Sequence, residues 1–191
     1  MFPTQPVALW HYVDFITIGI LTIVLTLLIK AHHKKTGRLQ GSISETVAYS
    51  KTSSLIFSIT MTALFPIYYA FVWFWVLPLI QAPRWVYYLL IISAVCEMVF
   101  VWAPATTGKS RQIHGIMASV VAVAMFILAL FILVHGVNVN AVARIGLSIF
   151  LLSPLVILAI MTAKRFRKYT FIYEVIISVT FLAAISLVGH S

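Results

Sequence analysis

Six stretches of this 191-residue chain run for about twenty residues with almost no charge, and that pattern leaves few folds open. The hydrocarbon core of a bilayer is about 30 Å thick, and about 20 apolar residues cross it as a helix. The runs fall at about 12–30, 52–77, 85–104, 112–135, 141–163 and 170–189. In lipid each segment must satisfy its own backbone N–H and C=O groups, and uninterrupted apolar runs lack the in–out alternation of barrel strands. The prediction is an all-α, polytopic integral membrane protein, a six-helix transmembrane bundle forming a single domain over residues 1–191. Composition agrees, with 9% charged residues against about 25% in soluble domains. Cys96 is the only cysteine, which excludes an internal disulfide and a cysteine-based metal knuckle.

The net charge of +9 sorts along the chain. Lys30, Lys34, Lys35, Arg38 and Lys51 lie between runs one and two, Lys109 and Arg111 between three and four, and Lys164, Arg165, Arg167 and Lys168 between five and six. Only Arg84 and Arg144 fall on the other side. Eleven against two predicts cytoplasmic basic loops and both termini outside. Trp10, Tyr12, Trp73, Trp75, Trp85, Tyr87 and Tyr88 then lie at the outer interface, where amphipathic rings anchor. The basic surplus reads as a topology device and a magnet for anionic lipid head groups. Membrane lipids are the expected partners. Nucleic acid is not, because no basic–aromatic module of the known kinds is present. The opening residues lack the basic n-region of a cleavable signal, so the first run is expected to be a permanent helix.

Three polar residues interrupt the apolar runs toward the cytoplasmic side. Glu97 lies twelve residues below Trp85, about 18 Å along a helix. A carboxylate at that depth costs several kcal/mol unless protonated, paired or hydrated. His114 opens the next run after the basic turn, four residues past Ser110, and Glu174 sits just above the last basic cluster. The three reach similar depth on three helices, which predicts a polar pocket of Glu97, His114 and Glu174 with Ser44, Tyr173 and Arg111 nearby. Each has a plainer alternative. His114 can simply cap a helix end or hydrogen-bond near the interface, Glu97 and His114 can form a structural pair, and Glu174 can pair with Arg165 or Lys168. Ser42 and Glu45 have the spacing of a capping box. Gly115, Ala118, Ser119 and Ala122 form a small-residue stripe suited to close helix packing. Pro66 predicts a kink in helix two and Pro154 one in helix five.

On the outer side, His11 and Asp14 share a helical face, and His135 and His190 end two other runs. Three imidazoles and a carboxylate suit zinc if these helix ends converge, which the sequence does not establish. No facing intramembrane histidine pair exists for haem.

The segments ISETVA before run two, IHGIMAS after the basic turn and RKYTFIYEVI at the last run resemble small six-helix bacterial membrane proteins of the Frag/PGAP type. More distantly they are similar to the CREST-type membrane hydrolases. The resemblance implies a six-helix fold in the cell membrane, of the bacterial or archaeal inner-membrane kind. CREST-type hydrolases use a serine, an aspartate and three histidines around zinc, and only Ser44 and His114 map onto that set. No His-x-x-x-His pair ends the last run, and no aspartate is expected within the membrane. Three functions follow as expectations: binding of a lipid or membrane partner, a small transporter or proton relay on Glu97, His114 and Glu174, or a CREST-like metal-dependent lipid hydrolase.

Overall fold

Every predicted run becomes a helix, and the ends move by only a few residues. The structure, a computed structural model, describes residues 7–36, 43–48, 50–103, 108–136, 139–162 and 170–190. Helix α1 spans Val7–Thr36, and a short helix α2 spans Ile43–Val47. Helix α3 begins as Lys51–Phe71, passes through a π-helical turn at Val72–Val76 and finishes as Leu77–Leu79. Then come α4 (Arg84–Trp102), α5 (Gly108–His135), α6 (Ala141–Thr162) and α7 (Thr170–Gly189). The six long helices form the bundle.

Five of them are long and apolar enough to cross a membrane, and α6, at 22 residues, carries an apolar stretch over Ala141–Val156. Their outward faces are as apolar as their inward ones. Ile23, Leu27, Val134 and Leu155 are each at least 60% exposed. A surface of that kind requires lipid, not water, around it.

Neighbours in sequence pack as neighbours in space: α1 on α3, α3 on α4, α4 on α5, α5 on α6 and α6 on α7. Helix α7 then returns to α1 and to the π-helical part of α3, which closes the ring. Phe71, Leu77, Val86, Ile132, Leu147 and Ile185 fill the interior and are almost wholly enclosed. One end of the bundle carries the start of α1 and the finish of α7, and is called the terminal end below. The opposite end carries the lysine-rich finish of α1 and helix α2, and is called the basic end.

Local chemistry sets the helix ends. Ser50 is the N-cap of α3, its hydroxyl accepting from the Ser53 N–H at 3.1 Å. At the far end of α3, Ala82 N–H donates to Leu77 O and Gln81 N–H to Pro78 O. These are the two bonds of a Schellman ending, with Gln81 at φ 51° in the place glycine usually takes. Arg144 at the start of α6 donates to the carbonyls of Gly136, Val139 and Leu133. A guanidinium there both caps the finish of α5 and complements its dipole.

Helix α3 continues through Pro66 and takes a π-helical turn at Val72–Val76. One expectation about packing is corrected. The stripe at Gly115, Ser119 and Ala122 faces outward: a Cβ at Gly115 would meet nothing within 4 Å, and Ser119 bonds back to Gly115 O. Close helix contact occurs instead at Gly146, where a Cβ would approach Ala184 Cβ to 2.8 Å.

Candidate functional site

Glu97 sits inside the wall shared by α3 and α4, 8% exposed. Its Oε2 accepts from the Tyr69 hydroxyl at 2.5 Å, and the same phenol lies 2.9 Å from Ser93 Oγ. A phenol has one proton, and here the carboxyl takes it, so Ser93 must donate to the phenol oxygen. Ser93 and Glu97 are one turn apart on α4, so α4 presents both to the tyrosine that α3 brings across. The result is a directed line, Ser93 to Tyr69 to Glu97, in a setting with little water.

His114 caps a helix end, the plainer of the roles open to it. Its Nδ1 lies 2.8 Å from Ala103 O and 3.0 Å from Phe100 O. Both partners only accept, so Nδ1 carries the hydrogen and caps the carbonyls that α4 leaves open at its finish. The ring also stands edge-on to Phe100 at 5.3 Å. Ser58 completes the cap by donating to Val101 O at 2.8 Å.

Glu174, on α7, accepts the Ile43 N–H at 2.7 Å through Oε2. It thereby holds the first turn of α2, where an acidic group complements the helix dipole. Tyr173 donates to Ser153 O at 2.8 Å and ties α7 to α6. Arg111 is exposed on the first turns of α5. The side chains of Ser44 and Glu45 lie outside the described residues, as does Ser42. Glu97, His114 and Glu174 therefore each engage a different partner, and Glu97 is bonded to Tyr69, not to His114. The sequence alone does not single out Tyr69. The signal that points to it is chemical: a buried tyrosine needs a partner for its hydroxyl, and Ser93 precedes Glu97 by one helical turn.

At the terminal end, α1 and α7 meet through Asp14 and His190, with His190 Nε2 3.1 Å from Asp14 Oδ2. Asp14 lies only two residues inside the apolar span that starts at Tyr12, yet it is completely enclosed. Its position at the helix end is the one the sequence indicates, and its enclosure comes from α7 closing over it. His190 stacks on Phe15 at 5.1 Å, and Trp75 Nε1 donates to Gly189 O at 2.6 Å, capping the finish of α7. A Cβ at Gly189 would run into the Phe71 ring at 2.6 Å, so only glycine lets α7 approach this closely. Tyr68, next to Tyr69, turns the other way and donates to Leu182 O.

Of the four residues considered for a metal, the structure joins Asp14 and His190. His135 is exposed and packs edge-on against Phe131, at the finish of α5. Helix α5 is flanked by α4 and α6, which sets it apart from the α1–α7 seam. The His11 side chain lies outside the described residues. Among the described residues no three His, Cys, Asp or Glu side chains come together as a metal site.

The basic end gathers most of the exposed cations among the described residues. Lys30, Lys34, Lys35, Lys51, Lys109 and Arg111 are all exposed there. The chain has four carboxyl side chains in all. Asp14 and Glu97 are buried elsewhere, and Glu174 is engaged by α2. No family model, curated protein or solved structure matches this chain.

Proposed function

We propose that this multi-pass membrane protein binds anionic lipid head groups through its basic end, without chemistry on the lipid, and that this end faces the cytoplasm. The observation that carries the reading is the set of exposed cations at the basic end, Lys30, Lys34, Lys51, Lys109 and Arg111, with Glu174 of that end held by the Ile43 N–H. Each Lys or Arg near an anionic leaflet contributes about 1 kcal/mol, and the effect falls off over a Debye length. Several such residues on one rim suffice for selective retention of anionic over zwitterionic lipid. The polar residues of the interior support the same reading, because Glu97, His114 and Tyr173 each bond one helix to another.

Native mass spectrometry of the protein drawn from a mixture of phosphatidylglycerol and phosphatidylcholine tests this. The expected result is intact phosphatidylglycerol bound preferentially, and lost when Lys30, Lys34, Lys109 and Arg111 are changed together to Gln. Equal retention of both lipids would contradict the proposal. Release of fatty acid from the bound lipid would favour the CREST-type reading instead.

A second reading rests on the line Ser93–Tyr69–Glu97. An ionisable group within a membrane helix is a natural proton carrier, and a phenol between a hydroxyl and a carboxyl can pass a proton on. Proton uptake by vesicles containing the wild-type protein, abolished in Glu97→Gln, would establish that reading over the first.

A further inference from the structure

A shallow groove of about 260 Å³ opens toward the lipid between α3 and α4, in the half of the bundle nearer the terminal end. Its walls include Tyr69, Ala70, Trp73 and Phe74 of α3 and Ile91 and Ala94 of α4. Two alanines among large aromatic neighbours leave the space unfilled, and the lining is almost wholly apolar. The volume is just under the roughly 300–1,000 Å³ of sites for drug-sized molecules, which suits a slender chain better than a ring system.

The stripe of α4 that lines the groove continues to a cation. Arg84, Tyr87, Ile91 and Ala94 follow one another at intervals of three and four, so they share one helix face. From Arg84 to Ala94 is ten residues, about 15 Å of helix, which equals the hydrocarbon depth of one leaflet. Between them Tyr87 stands edge-on to Trp73 at 4.8 Å, an aromatic pair at the depth where rings mark the membrane interface. The Arg84 side chain is exposed and makes no hydrogen bond or ion pair among the described residues. The other arginine of this end, Arg144, is engaged with the carbonyls of Gly136, Val139 and Leu133.

We propose that this groove is a binding site for one anionic glycerophospholipid, with an acyl chain between α3 and α4 and the phosphate against Arg84. Charge complementarity and the leaflet-length spacing select this occupant. A protein helix would need a wider groove, and a wholly neutral lipid would leave Arg84 unanswered. The site lies at the opposite end from the exposed cations of the basic end, so either proposal stands if the other fails.

The test uses the full chain in phosphatidylcholine nanodiscs with a trace of phosphatidylglycerol carrying a photoactivatable diazirine on its acyl chain. The expected cross-links map to residues 69–74 and 90–94. Labelling should drop at least fivefold in Arg84→Gln, whose exposed position spares the fold, and in the groove-filling Ala94→Leu. It should be unchanged in Lys109→Gln/Arg111→Gln. Undiminished labelling in Arg84→Gln, or equal labelling by the matching phosphatidylcholine probe, would show ordinary bulk-lipid contact and overturn the proposal. If Ala94→Leu does not fold, the Arg84→Gln comparison and the probe comparison still decide it.

Discussion

Replacing Tyr69 by Phe removes one oxygen and strands two buried groups. Glu97 loses the phenol that donates to it at 2.5 Å, and Ser93 loses its acceptor at 2.9 Å. A buried polar group left without a partner costs about 1–3 kcal/mol, more where it is charged. Tyr69→Phe should therefore destabilise the protein by at least about 2 kcal/mol. Glu97→Gln keeps a side-chain oxygen for Tyr69 and should cost no more than about 1 kcal/mol. Removing both ends of a bond can approach neutrality, so Tyr69→Phe combined with Glu97→Leu should fall well short of the sum of the single changes. Contacting residues couple by about 0.5–3 kcal/mol, and this pair should lie in the upper half of that range. His114→Ala opens the cap on Phe100 and Ala103 and should cost about 1 kcal/mol. Its coupling to Glu97→Leu should stay below about 0.5 kcal/mol, because the two share no hydrogen-bond partner. The assay is reversible unfolding in mixed dodecyl maltoside and SDS micelles, followed by far-ultraviolet circular dichroism. A Glu97–His114 coupling larger than the Tyr69–Glu97 coupling would refute this account of the interior.

Further perturbations probe other parts of the fold in the same assay. Asp14→Ala and His190→Ala each remove the 3.1 Å contact that joins α1 to α7; each should cost about 1–3 kcal/mol, and the double variant little more than the worse single one. Gly146→Ala pushes a methyl group into Ala184, 2.8 Å away, and should cost about 1–3 kcal/mol. Gly115→Ala meets nothing within 4 Å and should be neutral or stabilising by up to about 1 kcal/mol. For orientation, in a Cys96→Ala background a cysteine at Lys35 should resist impermeant thiol reagents in intact cells, while one at His135 reacts. The reverse pattern would invert the proposed topology.

The helices were legible in the sequence because lipid imposes length and internal hydrogen bonding on each span, and the runs meet both demands. Helix α2 was not, since five residues in a polar loop carry no periodic signal, and the group that holds its first N–H comes from Glu174, 131 residues away. The rotation of each helix was also hidden. In water an apolar stripe marks the inward face, but here lipid and interior are equally apolar, so nothing distinguished Gly115, which faces out, from Gly146, which packs on Ala184. The same uncertainty spread to the polar residues. Equal depth put Glu97, His114 and Glu174 together on paper, whereas hydrogen bonding is decided by which face each helix turns inward. Asp14 and His190 were picked out as outer-end residues by position, and only the closing of α7 onto α1 shows that they meet.

The claim that the basic end binds anionic lipid is tested most directly by stability in nanodiscs as the phosphatidylglycerol fraction rises. A ligand that binds the folded state at ten times its Kd adds about 1.4 kcal/mol, or about 3–6 °C in Tm for a chain of this size. A rise of that order is expected to saturate for the wild type and to be absent when Lys30, Lys34, Lys109 and Arg111 are changed together to Gln. An equal rise in both proteins, or none in either, would contradict it.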